Sequence, residues 1–409
     1  MKKVLMIAYY FPPVGGSGAQ RTVKFVKHLA QFGWESSVLS IDNPKHYEID
    51  DKTFLKDVPV ATKVYRSCQW NPYDIVKFPD KKTGWIFPAI MKGMSIIKHD
   101  NPNIIYSSSP PISAHLIALF LKKIFKLPWV ADFRDPWYSS CSERDISKIN
   151  RFAIASVEKL IIKCADVVIA NTDRATADYL NRYKAIVDKI YVIPNGYDEA
   201  DFQNIEEKKD EKNNKRMTIS HVGEFYERSR NPNSFLRAVS ELVSKDVSKR
   251  NEIQINFVGG GDYTKSSEFD SIIETNNLGS IVNCIDYVAH NESLGYLHSS
   301  DLLLLLVSKG GPFQVPAKTY EYLRCGRPIL ALSDDGASKD LLDKLNVTAV
   351  VDYDDIQGIK SELIRFYKDY KEGVLSKKIQ YNGIDLFDRK KLTEKLVGVF
   401  EKILCRKNI

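Results

Sequence analysis

The chain has 409 residues, 44% of them apolar, 27% charged and 11% aromatic, with a net charge of +7. That length suggests two or three domains, and the composition excludes intrinsic disorder, a collagen-like repeat and a small disulfide scaffold. No apolar run approaches the ~20 residues needed to span a bilayer; the longest, near 302–307, is strand-sized. The Met1-Lys2-Lys3 start leads into a short β-like run without a signal-peptide pattern, so a soluble, cytoplasmic protein is expected. Cys68, Cys141, Cys164, Cys284, Cys325 and Cys405 are scattered, with no C-x-x-C pair or zinc-ligand spacing, and read as free thiols.

The charge is uneven. Residues 1–200 hold 28 basic and 20 acidic residues, a balance of +8, whereas residues 201–409 hold 31 and 32, a balance of −1. Segments 77–98 and 122–126 interleave Lys with Trp, Phe, Ile and Leu. Such a face suits an anionic partner, such as a phospholipid surface or a phosphate-bearing acceptor; the plainer reading is solvated helices. Nucleic acid is not expected, because there is no dense Lys/Arg tract and no recognised binding motif.

In chain order, the apolar run 4–9 is a strand of the kind buried in a parallel sheet. It ends in the turn Pro12-Pro13-Val14-Gly15-Gly16-Ser17-Gly18, followed by a helix over 20–32 and a strand at 37–40, which makes a βαβ unit. Strands follow at 103–106, 129–132, 165–170 and 190–193, with helices at 112–125, 149–163 and 174–182. Residues 201–216 are polar and carry the charged block 206–212, the best linker candidate.

A second α/β series then starts. Strands are expected at 218–222, 253–258, 282–287, 302–307, 328–332 and 349–351, with helices at 232–243, 268–275, 293–298, 317–325 and 356–371. A charged amphipathic helix over 389–402 closes the chain. The pattern predicts an α/β protein of two Rossmann-like, doubly wound domains facing a cleft, with ligands at the carboxyl ends of strands. The expected division is 1–198, a linker at 199–216, and 217–386, with the helix from about 387 to 409 packing back on the first domain.

Several segments carry chemistry. The Gly15-Gly16 turn lets backbone N–H groups approach a phosphate, and a bare tight turn would use the same residues. Asp132-Phe133-Arg134-Asp135 crowds two carboxylates and a guanidinium at a strand end, where they either work or brace one another. Arg230, just before a helix start, suits a diphosphate, with Arg228 beside it. Gly259-Gly260-Gly261-Asp262 reads as a tight turn after a strand. Lys318 and Glu321, three apart on a helix, share a face, and a Glu placed so can accept both hydroxyls of a ribose; a surface ion pair is the default alternative.

Taken in order, YYFPPVGGSGAQRTVKFVKHLAQFGWE, SSPPISAHLIALFLKK, WVADFRDPW, VIPNGYD, HVGEFYERSRNP, FVGGGD and PAKTYEYLRCGRPILAL make the sequence recognisable. It resembles the family 4 glycosyltransferases of the GT-B fold over essentially its whole length. The resemblance implies retaining transfer of a sugar from a nucleotide-diphosphate sugar to an acceptor hydroxyl, without an essential metal. Carried over, Gly15 and Gly16 contact the donor diphosphate, Arg230 and Lys318 bind its phosphates and act in catalysis, and Glu321 holds the ribose. His115 would be catalytic on the acceptor side, with Asp132, Arg134 and Asp135 lining that side.

Two positions depart from the family pattern. Phe313 stands eight residues before Glu321 where many members have a Glu that contacts the donor sugar, and Glu224 stands where a second basic donor ligand is usual. The implied setting is bacterial surface polysaccharide or glycolipid synthesis, with a glycan or lipid-linked sugar as acceptor and a peripheral position on the inner face of the cell membrane. A GT-B nucleotide-sugar epimerase and a non-catalytic glycosyltransferase-like subunit stay open as alternatives.

Overall fold

The computed structural model describes residues 1–14, 17–42, 52–70, 78–142, 146–203, 205, 216–226, 229–244, 247–347, 349–375 and 379–407. It forms two compact units: Met1–Asn195 together with Asp388–Ile409, and Gly196–Phe387. Within the segment expected as a linker, the 3-10 turn Glu199–Phe202 belongs to the second unit, and the charged block 206–212 lies outside the described residues.

The first unit runs β1 (Lys2–Ile7), α1 (Ser17–Leu29), β2 (Trp34–Ile41), β3 (Lys63–Ser67), α2 (Ile86–Asp100), β4 (Ile104–Ser109), α3 (Ser113–Phe125), β5 (Trp129–Phe133), α4 (Trp137–Ser142), α5 (Lys148–Cys164), β6 (Val167–Ala170), α6 (Asp173–Arg182) and β7 (Ile190–Val192). The strands form one parallel sheet in the order β3-β2-β1-β4-β5-β6-β7. Alternate residues serve opposite faces, as the two-residue period of a strand requires. Val4, Met6, Val38, Ile104, Tyr106 and Val130 pack with Phe25 and Leu29 of α1 and with Leu392, Leu396 and Phe400 near the carboxyl end of the chain.

Leu39 faces the other way, towards α2 and α3. Gly93 of α2 lies so close that an added Cβ would come 2.6 Å from Leu121 of α3 and 3.4 Å from Leu39. Only a residue without a side chain lets α2 settle there.

The second unit runs β8 (Met217–Val222), α7 (Asn233–Ser244), α8 (Val247–Glu252), β9 (Ile253–Val258), α9 (Ser267–Thr275), β10 (Val282–Ile285), α10 (His290–Ser299), β11 (Leu302–Leu306), α11 (Ala317–Cys325), β12 (Ile329–Leu332), α12 (Ala337–Lys344), β13 (Ala349–Val351) and α13 (Ile356–Lys371). The parallel order is β10-β9-β8-β11-β12-β13. The five consecutive leucines of β11 are all buried. Leu302, Leu304 and Leu306 pack under α7 and α13, while Leu303 and Leu305 pack under α10, α11 and α12. Each buried leucine contributes about 1.5–3 kcal/mol, so a strand with two covered faces is apolar throughout. The last helix, α14 (Arg389–Lys407), belongs to the first unit and packs on α1.

In each sheet the chain first winds outward one way and then returns to wind the other way. The reversal falls between β1 and β4 in the first unit and between β8 and β11 in the second. Crevices at the carboxyl ends of such strand pairs are where open α/β sheets take ligands.

Candidate active site

In the second unit the loops that follow β8 and β11 meet at the reversal point. Arg230 Nε donates to Ser308 Oγ at 3.2 Å, and the backbone N–H of Lys309 donates to the carbonyl of Ser229 at 2.6 Å. The Arg230 guanidinium also lies over the Tyr226 ring, 4.8 Å from its centroid. The loop after β11 is braced on α12 by Ala337 N–H to Pro312 O (2.9 Å) and Ser338 Oγ to Gln314 O (2.7 Å), and Phe313 is half-buried within it. Glu224 lies against the Gly259–Gly261 turn, where a Cβ on Gly261 would come 3.0 Å from its Cγ.

Glu321, on α11, is 2% exposed. Its Oε1 accepts from His290 Nε2 at 2.9 Å, and its Oε2 lies 3.3 Å from Lys318 Nζ. Lys318 Nζ donates to Ser293 Oγ at 2.9 Å, and Ser293 Oγ donates to the carbonyl of His290 at 2.7 Å. The carboxylate is therefore charge-assisted on one oxygen and hydrogen-bonded on the other, which makes its burial tolerable. The helix itself is pinned to the sheet by Val222 N–H donating to Tyr322 Oη at 2.7 Å. Under these loops His221 of β8 stacks on Phe225, with centroids 4.7 Å apart, and donates through Nδ1 to the carbonyl of Leu304 at 3.0 Å. Burial pushes its pKa down to about 3, so it is neutral.

In the first unit two of the expected site residues, Asp132 and His115, lie inside the domain. Asp132 is wholly buried and is spent inside the domain. Arg21 of α1 grips it bidentately, Nε to Oδ2 at 2.7 Å and Nη2 to Oδ1 at 2.9 Å, and Tyr106 and Ser108 donate to Oδ2 as well. Four donors converge on a carboxylate with no exposed surface, so Asp132 serves as a brace. Its partner is Arg21, whereas the adjacent Arg134 reaches Gly18 O at 3.2 Å.

His115 is equally enclosed, at 0% exposure, with its ring 4.3 Å from that of Phe133 and Nδ1 2.8 Å from Ser107 Oγ. Burial lowers its pKa to about 3. The imidazole is thus held neutral between Phe133 and Ser107, inside the first unit. Arg134 and Asp135 are half-buried near the start of α1, and burial raises the pKa of Asp135. Gly15, Gly16 and Arg228 lie outside the described residues.

The sequence model described as Glycosyltransferase Family 4 matches residues 15–201, and that described as Glycosyl transferases group 1 matches residues 216–369. The chain belongs to the family 4 glycosyltransferases. A D-inositol 3-phosphate glycosyltransferase of Corynebacterium jeikeium is 26% identical over 190 residues, a stretch covering 44% of this chain and 44% of that protein, under half its length. Among solved structures, sucrose-phosphate synthase from Thermosynechococcus elongatus superposes with a TM-score of 0.73 at 16% identity, over 99% of this chain and all of the other. Anabaena HepE in complex with UDP-glucose gives 0.70 at 14% identity, over 98% of this chain and all of that one. These likenesses establish the two-domain GT-B fold for the glycosyltransferase.

Within this glycosyltransferase, Lys318 and Glu321 come together as expected from their spacing, and Arg230 sits at the same reversal point of the sheet. Arg21, His290 and Ser293 were not singled out from the sequence. Arg21 left a trace: it falls in register with Phe25 and Leu29 on the apolar stripe of α1, where an unpaired charge would be costly. His290 left none, since nothing near 290 marks it as the neighbour of residue 321. Among the described residues no helix is long and apolar enough to cross a membrane.

Proposed function

We propose that this enzyme moves a sugar from a nucleotide-diphosphate donor to an acceptor hydroxyl with retention of configuration, and that the second unit holds the donor. The observation that carries this reading is the placement of a buried carboxylate, Glu321, and two half-buried cations, Arg230 and Lys318, around the β8/β11 reversal point. A carboxylate there can accept both ribose hydroxyls, and the cations match a diphosphate. HepE, which shares the fold, takes UDP-glucose in its crystal, and the proposal extends a nucleotide sugar to this chain.

With Glu321 assigned to the ribose rather than to the anomeric carbon, the reaction is read as front-face substitution. The bond from the anomeric carbon to the leaving phosphate oxygen breaks, and the bond to the acceptor oxygen forms on the same face. The acceptor's proton passes to the departing phosphate, whose growing charge Arg230 and Lys318 stabilise. The acceptor is read as a glycan or lipid-linked sugar of a bacterial surface polysaccharide or glycolipid. The reaction is read as needing no metal.

The test is calorimetry of donor binding to wild type and Glu321→Ala, after a thermal-shift panel of nucleotide sugars has selected the donor. Loss of a charge-assisted pair to a diol is worth ~1.5–3 kcal/mol, roughly 10- to 150-fold in affinity. Binding within about twofold of wild type removes Glu321 from the donor site. Conversion of donor without acceptor would favour an epimerase, and binding without turnover a non-catalytic subunit.

A further inference from the structure

Glu321 has three rotatable side-chain bonds, yet a diol needs its carboxylate in one plane. Something must hold it. We propose that His290 is a positioning residue that sets the Glu321 carboxylate for the donor ribose; this rests on the donor-site reading of Glu321 given above.

An ionised carboxylate can only accept, so the 2.9 Å contact is a bond from His290 Nε2–H to Oε1. That bond fixes rotation of the carboxyl group, and Lys318 meets the other oxygen at 3.3 Å. The arrangement closes on itself. Lys318 is held by Ser293, and Ser293 is held by the carbonyl of His290, so the two ends of the carboxylate are tied to one helix start. The imidazole is itself confined: its side chain is 12% exposed, and Nδ1 lies 3.9 Å from Asp201 Oδ2, whose side chain is 8% exposed. Two carboxylates thus flank one ring, and the nearer of them, Glu321, takes the hydrogen bond from Nε2. A site in which a rigid neighbour fixes the binding group avoids ordering that group when the ligand arrives.

The experiment compares two probes by calorimetry on the full chain: the tightest-binding nucleoside diphosphate from a panel of UDP, GDP and ADP, and its 2′,3′-dideoxy analogue. His290→Ala is expected to weaken the diphosphate about 10-fold while leaving the dideoxy analogue within about twofold, because only the diol reports on the carboxylate. His290→Gln, whose amide N–H can replace Nε2–H, is expected to recover most of the loss. The His290→Ala/Glu321→Ala pair is expected to bind no more weakly than Glu321→Ala alone.

Equal weakening of both probes by His290→Ala would show a merely structural role and overturn the proposal. No weakening of either probe overturns it too. Should His290→Ala not fold, His290→Phe fills the space without a donor and is read in the same way. Glu321→Ala is the control that separates the two claims. If it fails to discriminate the probes, the donor-site reading falls; if it discriminates and His290→Ala does not, only the positioning role falls.

Discussion

Arg21 and Asp132 stand 111 positions apart in the chain and form two parallel hydrogen bonds of 2.7 and 2.9 Å, with both side chains at most 1% exposed. Arg21 also donates to the carbonyls of Ile193 and Pro194, each at 2.8 Å, so one guanidinium ties α1, β5 and the end of β7 together. The neighbouring Asp132 carboxylate keeps Arg21 firmly protonated. Removing one partner leaves the other charged and buried. Asp132→Ala is therefore expected to cost about 3–5 kcal/mol, and the paired Arg21→Met/Asp132→Leu change distinctly less. Urea denaturation followed by tryptophan fluorescence reads this directly, because all five tryptophans lie in the first unit. A loss under about 1 kcal/mol for Asp132→Ala contradicts the brace.

His115 supplies a pH dependence with a definite sign. Its pKa is about 3 in the fold, against about 6.5 in an unfolded chain. Between these values the unfolded state binds a proton that the folded state does not. Stability therefore falls as the pH drops from about 6.5 towards 3, by up to about 1.4 kcal/mol per pH unit, and is flat with respect to this group above 6.5. His115→Asn keeps a polar atom near Ser107 and removes the titration. Its fluorescence-detected stability should fall less steeply between pH 6.5 and 4.5 than that of wild type, and its catalytic turnover at neutral pH should be retained if it folds. An identical slope counts against a neutral buried imidazole.

Arg230→Ala is expected to lower turnover more than it weakens donor binding, because phosphate charge grows as the glycosidic bond breaks. Steady-state kinetics combined with calorimetry separates the two. Equal losses point to ground-state binding alone. In the same assay a chelator is expected to leave turnover unchanged; loss with rescue by a divalent ion overturns the metal-free reading.

The basic first unit predicts attraction to anionic lipid, and the structure narrows the contact. Of the apolar residues in 85–97 expected to insert, Trp85, Ile96 and Ile97 are buried, whereas Phe87 and Met91 are 54% and 53% exposed. Lys81, Lys92 and Lys98 are exposed around them, and Lys82 is half-buried. Each Lys near an anionic surface contributes ~1 kcal/mol. Co-sedimentation with anionic vesicles at low salt is expected for wild type, and its loss in the Lys81/Lys82/Lys92/Lys98→Glu variant or at high salt. Absence of wild-type binding at low salt reduces the charge asymmetry to solvation.

Both parallel sheets were legible in local pattern. Runs such as 4–9 and 302–307 are apolar throughout because a strand covered on both faces has no solvent side. The bounds of Ala317–Cys325 and Ile356–Lys371 matched their expected spans, since each has its own apolar stripe and a stop signal or charged end. Helix α2 was missed although Ala89, Ile90, Gly93, Ile96 and Ile97 make a buried helical stripe; its interleaved Lys and aromatic residues drew the reading towards a surface instead. The edge strand Lys63–Ser67 was missed because, paired on one side only, it carries little apolar alternation.

The sequence by itself determined the alternation of strands and helices, the charge asymmetry and the Lys318–Glu321 pair, because each depends on residues close in the chain. Only the tertiary structure decided that Asp132 and His115 are enclosed, and that Glu321 meets His290. Those outcomes depend on Arg21, Phe133 and His290. Arg21 lies 111 positions from Asp132, His290 31 from Glu321 and Phe133 18 from His115, and spacing alone carries no information about which distant side chain packs against a buried group or fills its hydrogen-bonding sites.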